Sequence, residues 1–581
     1  MPKTSRRSFM TAVAAASAAP LIAPAQTARA APARAAGAAH ASAVPLSAAG
    51  GGSAGFITLA ANDPAAHSAL SLGNLVAGPP AGDPERTEIT HGGTTVAVLT
   101  KGARTVLVRG PERRFQETGR VFTDVFDRTN AEKWGSVPGG GSWTHVNGRD
   151  GSPSAPPGSD YGVTPAAAYL MISTTAPTTA RHTTLVDDGI TDFDARATAR
   201  FDKAPSGATV SYALSFGYQN TKNHFRARLS FSPQDGGRLR LEKEAADQVS
   251  ELGGPHSLGV AASAAAEPWH IRVVREGRVV RARAWQAGTA EPVAWQLWAE
   301  DAAFPKGRVG VRAAAGAGLA GLPVKLLVSE FTVVSAAPAV THREWVRVLP
   351  APYDGTWTSA VEERVRGWAG STAPDALAHA AMFLKGVPPV TSARPGEDLG
   401  RPVLGAAGYS PLVNGVRDEG ADFHEYSGVS WTFPPDNRVW TADPAFAGHL
   451  DCSGYVRMVY GRHMGVPMTY FGGPVTGEYL PRDSAAMARN SPGVRIAHAA
   501  AAPPPLTGLH IGDLLFFDAV KDADDKIDHV AIHLGVDEFG ARRFLSSRKT
   551  PNGPTAADLG GASTIDGTGT YAETLRTIRR L

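Results

Sequence analysis

Cysteine is almost absent from this chain of 581 residues, which contains only Cys452. One cysteine can form neither an internal disulfide nor a metal site built from several thiolates. Charge of one sign is also lacking, because 57 basic residues stand against 54 acidic ones and leave a net charge of +3. No basic stripe, P-loop or dinucleotide-binding fingerprint is present. We therefore predict no cofactor, no metal ion and no nucleic-acid partner.

Long apolar runs are missing as well. The Ala-rich stretch from Thr11 to Ala25 is too short to span a bilayer as a stable anchor. It follows Ser5-Arg6-Arg7-Ser8-Phe9-Met10 and precedes the small residues of Ala28-Arg29-Ala30. This arrangement resembles a twin-arginine export signal. We expect a signal peptide at 1–30, a flexible Ala-rich lead-in at 31–50, a secreted protein and no membrane span.

The remaining length suggests about three domains. A small β-rich segment is predicted at 51–118, where 94–99 and 104–109 form a hairpin around a turn at 101–103. An all-β sandwich is predicted at 119–336, because short runs of alternating apolar residues recur with turns between them. The sandwich strands are predicted at 209–216, 223–229, 269–274, 279–285 and 326–334. A third domain, of mixed α and β structure, is predicted at 342–581, with helices at 359–368 and 374–384.

The sandwich segment resembles concanavalin-like and laminin-G-like jelly-rolls through 124–128, Trp134-Gly135 and the closing strand at 328–331. The resemblance implies a possible glycan ligand. Four tryptophans are available for stacking on sugars, although packing within the sandwich is the favoured interpretation: Trp143, Trp285, Trp295 and Trp298. The acidic pairs at 187–188 and 192–194 are interpreted as turn residues rather than calcium ligands.

Cys452 itself begins a predicted helix. Val456, Val459, Tyr460 and Met464 recur at helical spacing, and Asp451 is a suitable N-cap. Cys452 then lies in the first turn, where backbone N–H groups and the helix dipole favour a thiolate. The alternative from spacing alone is a small buried residue at the start of a core helix.

Two predicted strands follow this helix, at 512–517 and 528–535. In the second strand Val530, Ile532 and Leu534 alternate and would fill one face. His529, Ala531 and His533 would share the other face. A histidine at this position and a cysteine in the first turn of a helix are together the two groups that a thiolate–imidazolium pair requires.

The three segments 451–456, 512–517 and 529–535 occur in an order that resembles the NlpC-type family of papain-like cell-wall peptidases. The separation between histidine and cysteine, 529 − 452 = 77 residues, also suits that family. The resemblance implies a Cys-bearing helix packed on an antiparallel sheet that carries the histidine. It implies that Cys452 is the nucleophile and His529 the general base.

The third catalytic position of the family, which orients the histidine, corresponds to Ser546 in this chain. Family members usually have His, Asn or Gln there, and Asn552 is a second candidate. The family's Tyr and Gly-rich turn shortly before the cysteine are replaced by Trp431-Thr432-Phe433-Pro434-Pro435 and Val439-Trp440. Our candidates for substrate contacts are Asp451, Ser453 and Trp440.

The overall prediction is a multidomain protein in which a jelly-roll-like β-sandwich precedes an α+β papain-like peptidase domain. The resemblance implies hydrolysis of peptidoglycan stem peptides, often between D-glutamate and the diamino acid. One alternative is an amidase or acyltransferase that uses the same pair of residues on another acyl substrate. Another is a non-catalytic wall-binding protein whose third catalytic position has decayed.

Overall fold

The computed structural model describes residues 57–59 and 73–581. Within that span it leaves out 131–132, 138–140, 148–159, 175–179, 186–188, 370, 392–401, 414–415, 471–476, 521–525 and 559–560. The predicted export signal, the lead-in and the acidic pair at 187–188 lie outside the described residues. None of the described helices has the length and apolar character needed to cross a membrane.

The first sheet is formed by the N-terminal strands together with a strand from much later in the chain. Its strands are β1 (Ile57–Leu59), β2 (Val76–Ala77), β3 (Arg86–His91), β4 (Thr94–Thr100) and β5 (Thr105–Phe115). They are arranged in the order β1-β5-β4-β3-β2. The predicted hairpin is therefore confirmed as β4 and β5, which pair antiparallel with Ala97 opposite Val108.

The predicted β-sandwich consists of two sheets of eight strands. Its strands are β6 (Thr118–Asp124), β7 (Trp143–Asn147), β8 (Tyr161–Thr164), β9 (Ala167–Ile172), β10 (Arg181–Leu185), β11 (Asp192–Phe201), β12 (Val210–Asn220), β13 (Asn223–Ser232), β14 (Gly236–Ala245), β15 (Gln248–Glu251), β16 (His256–Ser257), β17 (Trp269–Glu276), β18 (Val279–Gln286), β19 (Leu297–Glu300), β20 (Arg308–Ala315) and β21 (Val324–Ala336). A 3₁₀ turn covers Ala262–Ala266.

The two sandwich sheets have the orders β15-β14-β13-β12-β20-β10-β7 and β19-β18-β17-β11-β21-β9-β8, with β16 and β6 attached to β14 and β21. One continuous apolar core lies between them, as the alternating pattern predicted. Trp143 belongs to that core and its indole donates to Asp124 Oδ2 at 2.9 Å. Packing, the favoured interpretation for the tryptophans, therefore holds for Trp143.

The last region contains the remaining strands and all the α-helices among the described residues. The strands are β22 (Val340–Val348), β23 (Val390–Thr391), β24 (Pro402–Leu404), β25 (Leu412–Val413), β26 (Val416–Arg417), β27 (Trp431–Phe433), β28 (Arg438–Trp440), β29 (Val494–His498), β30 (Leu514–Phe517), β31 (His529–Val536), β32 (Arg542–Arg548), β33 (Gly553–Thr555) and β34 (Leu575–Arg580). The helices are α1 (Ser359–Trp368), α2 (Ala376–Ala381), α3 (Phe423–Tyr426), α4 (Cys452–Val456), α5 (Ser484–Asn490) and α6 (Thr570–Thr574). Single turns of 3₁₀ helix at Pro444–Phe446 and of π-helix at Arg457–His463 complete the region.

Strand β22 does not belong only to the C-terminal region. It pairs with β5, placing Val340 opposite Phe115 and Trp345 opposite Val108. The sandwich is therefore inserted between two neighbouring strands of the first sheet. The predicted division at 51–118, 119–336 and 342–581 stays a prediction, and the pairing joins its first and last parts.

The sheet that positions the candidate site has the order β29-β34-β30-β31-β32-β33. Val530, Ile532 and Leu534 pack against the side that carries α4, within the same apolar core as Cys452. Ala531 packs on the other side with Phe517, Phe544 and Tyr571. The predicted division of β31 into two faces is thus present, and both faces are buried. Together with the sandwich, this mixed helix-and-sheet region confirms the predicted fold class.

Candidate active site

Cys452 is the first residue of α4, as the sequence predicted. The carboxylate of Asp451 accepts a hydrogen bond from the backbone N–H of Gly454 at 2.7 Å and so caps the helix. Gly454 is needed at its position because a Cβ there would collide with the carbonyl oxygen of Ala421. The cap and this close approach hold the start of the helix against the loop that precedes α3.

The sulfur of Cys452 lies against the backbone on both sides of His529. Its distance to the carbonyl oxygen of Asp528 is 3.8 Å, and the backbone N–H of Val530 also interacts with it. Helix α4 and strand β31 therefore place the sulfur of the predicted nucleophile against the backbone that carries the predicted base. Only 6% of Cys452 is exposed to solvent.

The environment of the thiol favours its protonated form. Burial raises the pKa of Cys452 most strongly, and the negative charge of Asp451 raises it further. The N–H of Val530 and the guanidinium of Arg482 lower the pKa by less. The expected stabilisation of a thiolate by the helix start is thus outweighed in this structure, because water is excluded from the sulfur.

His529 is also held in its neutral form. Its ring lies 5.4 Å from that of Tyr571 and 6.0 Å from that of Phe517, measured between centroids. Burial lowers the pKa of His529 to about 3, and the charges of Arg548 and Lys549 contribute. Among the described residues, the Nε2 atom has no hydrogen-bond partner. The resting site therefore contains a protonated thiol on α4 and, on the adjoining strand β31, a neutral imidazole that is able to accept a proton.

Ser546 lies on β32 and is fully buried, and its hydroxyl contacts Arg548. The Nε–H of Arg548 donates to its hydroxyl at 3.0 Å. Arg548 also lies over the ring of Tyr571 at 5.0 Å and donates to the carbonyl of Gly561 at 2.8 Å. The predicted role of Ser546 in orienting His529 stays a prediction, since the hydroxyl is already engaged by this arginine.

Asp451 and Ser453 meet at Arg482. The guanidinium donates to the carboxylate of Asp451 at 2.8 Å and to the hydroxyl of Ser453 at 2.7 Å. Burial acts to lower the pKa of Arg482, but the carboxylates of Asp451 and Asp422 hold it above its usual value. The two predicted substrate contacts are therefore part of a charged cluster at the start of α4.

The other predicted substrate contact, Trp440, lies on the hairpin β27–β28. Its ring stacks on Tyr470 with 3.3 Å between centroids and an interplanar angle of 12°. Its indole nitrogen is buried without a hydrogen-bond partner among the described residues. Contact of Trp440 with substrate stays a prediction.

Sequence reasoning missed several residues near the pair. Tyr409 lies close enough to Cys452 and Asp451 that their charges, after burial, raise the pKa of its phenol. Asn552, the second candidate for the third position, accepts from the backbone N–H of Tyr409 at 3.3 Å and from Arg417 at 2.6 Å. Tyr571 and Arg548 cover His529. No local spacing marks Tyr409 or Tyr571, because each approaches the site through a distant turn of the chain.

A buried thiol at a helix start and a histidine on the adjoining strand are the two side chains that thiolate–imidazolium chemistry requires. The family model described as NlpC/P60 family matches residues 437–551, a range that contains Cys452, His529 and Ser546. The chain therefore carries an NlpC/P60-family domain, which indicates a cysteine peptidase of the cell-wall type. No curated protein sequence matches the chain.

Solved structures similar to part of this chain include several carbohydrate-active proteins. The carbohydrate-binding module CBM66 from Bacillus subtilis is 13% identical, with 33% of this chain and 95% of that chain covered and a TM-score of 0.24. A family 16 glycosyl hydrolase from Mycobacterium smegmatis is 14% identical, with 36% and 98% covered and a TM-score of 0.26. The β-glucanase of Bacillus licheniformis is 12% identical, with 37% and 98% covered and a TM-score of 0.27.

Proposed function

We propose that the C-terminal region hydrolyses peptide bonds in peptidoglycan stem peptides, with Cys452 as nucleophile and His529 as general base. The observation that carries the proposal is the position of the Cys452 sulfur against the backbone on both sides of His529. The match of this same segment to the NlpC/P60 family supports a cell-wall substrate.

The neutral resting pair defines the order of proton transfers. His529 takes the thiol proton as the sulfur attacks the substrate carbonyl carbon, which gives a tetrahedral intermediate with an oxyanion. The imidazolium then gives its proton to the leaving amine and a thioester forms. Finally, His529 takes a proton from water and the resulting hydroxide attacks the thioester carbonyl. The C–S bond then breaks, the carboxylic acid leaves, and the imidazolium returns its proton to the sulfur.

The charged cluster at the start of α4 supports a substrate that carries charges near the cleaved bond. Asp451 and Arg482 are paired with each other at 2.8 Å, so an amine and a carboxylate of the substrate would bind by adding to or exchanging with this pair. A stem peptide contains both groups, and the bond between D-glutamate and the diamino acid is our specific proposal. The same pair of residues also fits an amidase or an acyltransferase, which would differ in what this cluster and Trp440 bind.

Export by the twin-arginine pathway is part of the proposal, because peptidoglycan lies outside the cytoplasmic membrane. The paired arginines Arg6 and Arg7 carry this prediction. Replacing both with lysine should remove the protein from the exported fraction of the cells. Unchanged export of that variant would refute export by the twin-arginine pathway.

Digestion of purified peptidoglycan by the wild type and by Cys452→Ser, with the products identified by mass spectrometry, tests the activity. We expect new stem-peptide fragments from the wild type only, and their masses identify the bond. Cys452→Ser serves as the matched control, since the substitution nearly conserves volume. Fragments from both proteins would refute the mechanism, and their absence from both would favour the amidase, the acyltransferase or a non-catalytic wall-binding protein.

A further inference from the structure

The outer face of one sandwich sheet carries a row of polar side chains that are buried. Polar side chains on the outer face of a sheet are usually exposed to solvent. Residues that face inward on β12, β13 and β20 are apolar and belong to the core, whereas their neighbours on the outer face are polar. The buried polar residues of this face include Ser211, Ser215, His224, Arg226, Ser230, Glu242, Glu244, Arg312 and His182. The residues of this face lie far in sequence from the NlpC/P60 segment at 437–551, and none of them takes part in the proposed peptidase mechanism.

A cavity of about 290 Å³ opens on this face, and Arg226, Arg228, Glu244 and Arg312 line it. A second cavity of about 200 Å³ shares Thr209 and Arg228 with the first and continues toward Arg240. The two cavities therefore form one groove across the strands.

Most charges in the groove are paired. Glu242 accepts from Arg226 at 2.7 Å and from Arg228 at 2.9 Å. Glu244 accepts from Arg226 through one carboxylate oxygen. These contacts account for two of the three guanidinium groups that line the first cavity.

Arg312 is the exception. Only 8% of it is exposed, and it has no hydrogen bond or ion pair with any residue in the part of the chain that the structure describes. Strand register explains why, because its neighbours across β10 and β12 are His182 and Ala213, neither of which is an acid. A buried guanidinium without a partner is costly to the fold, so a ligand that pairs with it would be bound strongly.

Glu244 lines the same cavity, and one of its carboxylate oxygens needs a hydrogen-bond donor. Its Oε1 atom is buried and has no hydrogen-bond partner among the described residues, although Oε2 is bound to Arg226. One unpaired cation and one unsatisfied acceptor thus line the same cavity. A ligand that carries an oxyanion together with a hydroxyl group satisfies both, since the oxyanion pairs with Arg312 and the hydroxyl donates to Glu244.

We propose that this cavity binds an acidic saccharide unit, whose carboxylate or phosphate pairs with Arg312 and whose hydroxyl donates to Glu244. A volume of about 290 Å³ admits one sugar ring. The second cavity continues past Arg238 and Arg240, which are paired with Asp235 at 3.1 Å and with Glu251 at 3.7 Å, so the site for the anion is at Arg312. The sandwich then holds a charged wall polymer independently of the bond that the C-terminal region cleaves.

The test measures binding of the full-length protein to three probes by calorimetry. These are galacturonic acid oligomers, which carry carboxylates, glucose 6-phosphate, which carries a phosphate on a sugar ring, and a neutral glucan oligomer. We expect binding of one or both anionic probes and none of the neutral one. Binding of only one anionic probe identifies the charged group, whereas failure of both, or equal binding of the neutral glucan, overturns the proposal.

Substitution at Arg312 separates this site from general charge attraction. Arg312→Met should weaken anion binding about tenfold or more, and Arg312→Lys should weaken it less because the charge is kept. The matched control is Arg196→Met on the other sheet, where the arginine is paired with Glu330 at 2.9 Å. Thermal unfolding of Arg312→Met should occur at the same or a higher temperature, since an unpaired buried charge has been removed. Equal losses in Arg312→Met and Arg196→Met, or no loss in the first, would overturn the assignment.

Discussion

The thiol of Cys452 and the imidazole of His529 are both held neutral by burial. Fast alkylation of this cysteine at neutral pH is therefore not a requirement for activity, since a protonated thiol reacts slowly. Activation has to accompany substrate binding, when the His529 nitrogen without a partner can accept the proton. A slow reaction with iodoacetamide is consistent with both an enzyme and a wall-binding protein, and only turnover distinguishes them.

Ser546 is expected to contribute little to catalysis. Because Arg548 donates to its hydroxyl at 3.0 Å, Ser546→Ala removes a hydrogen bond to an arginine that is also held by Gly561. We expect kcat/KM to fall less than about tenfold, whereas His529→Ala should lower it by at least about a hundredfold. Steady-state kinetics on a purified muropeptide provides the measurement. Equal losses would show that Ser546 orients the imidazole, especially if the pH profile of Ser546→Ala also shifts.

At the scale of elements, the short helix α4 depends on the turn that follows it. Arg457 begins the π-helical turn and is fully buried. Its guanidinium donates to the carboxylate of Asp422 at 3.0 Å and to the carbonyls of Thr469 and Leu480 at 2.7 and 2.9 Å. One side chain thus ties α4 to the loop before α3 and to the segment that leads into α5.

Replacing Arg457 should therefore loosen the whole site. Arg457→Leu leaves the buried carboxylate of Asp422 with the backbone N–H of Phe423 at 2.8 Å and with Arg482 as its nearest remaining arginine, at 3.7 Å. We expect the free energy of unfolding of this region to fall by about 3–5 kcal/mol, as for other buried pairs that lose one partner. Urea unfolding followed by tryptophan fluorescence measures the change. Arg364→Leu on the exposed side of α1 is the control, with an effect within about 0.5 kcal/mol; equal midpoints would contradict the proposed anchoring.

Strands and helices could be predicted from the sequence where apolar residues recur at the spacing of the element. The alternation at 223–229 lies within β13, Asn223–Ser232, and α1 spans Ser359–Trp368 as expected. The second predicted helix, 374–384, is shorter, because Asp375 caps it and Ala376 begins it. Cys452 and His529 were chosen as candidates from local patterns, and the structure places them on the helix and the strand that those patterns predicted. Tyr409, Arg482 and Tyr571 were not, since their positions depend on contacts between distant segments that no local period records.

At the scale of the whole molecule, the short connection between β5 and the sandwich is hydrogen-bonded to the C-terminal region. The buried carboxylate of Glu117 accepts from the hydroxyl of Thr555 at 2.9 Å and from the backbone N–H groups of Ala556 and Ala557 at 2.6 and 3.1 Å. Burial raises the pKa of Glu117 against the effect of these hydrogen bonds. Since β5 also pairs with β22, we infer that the first sheet and the C-terminal region unfold together.

Acid should destabilise the folded protein as a whole, because many of its histidines are buried in the neutral form. Burial lowers the pKa of His342, His463 and His529 to about 3 and of His145 and His510 to about 4. In the unfolded chain each has its ordinary pKa of 6.5. The unfolded state therefore binds more protons below pH 6.5, and stability falls as the pH drops from about 6.5 toward 3. Glu425 acts in the opposite sense, because burial raises its pKa to about 7.

We expect the histidines to outweigh Glu425 and Glu117, whose pKa burial also raises, so that the thermal unfolding temperature falls by about 5 °C or more between pH 7 and pH 5. Differential scanning calorimetry across this range, at constant ionic strength, provides the measurement. His463→Gln should reduce the difference between the two pH values, since it removes one group that must stay neutral beside His379, 4.4 Å away between ring centroids. An unfolding temperature that is unchanged or higher at pH 5 would mean that these histidines gain protons without opening the core in which they lie.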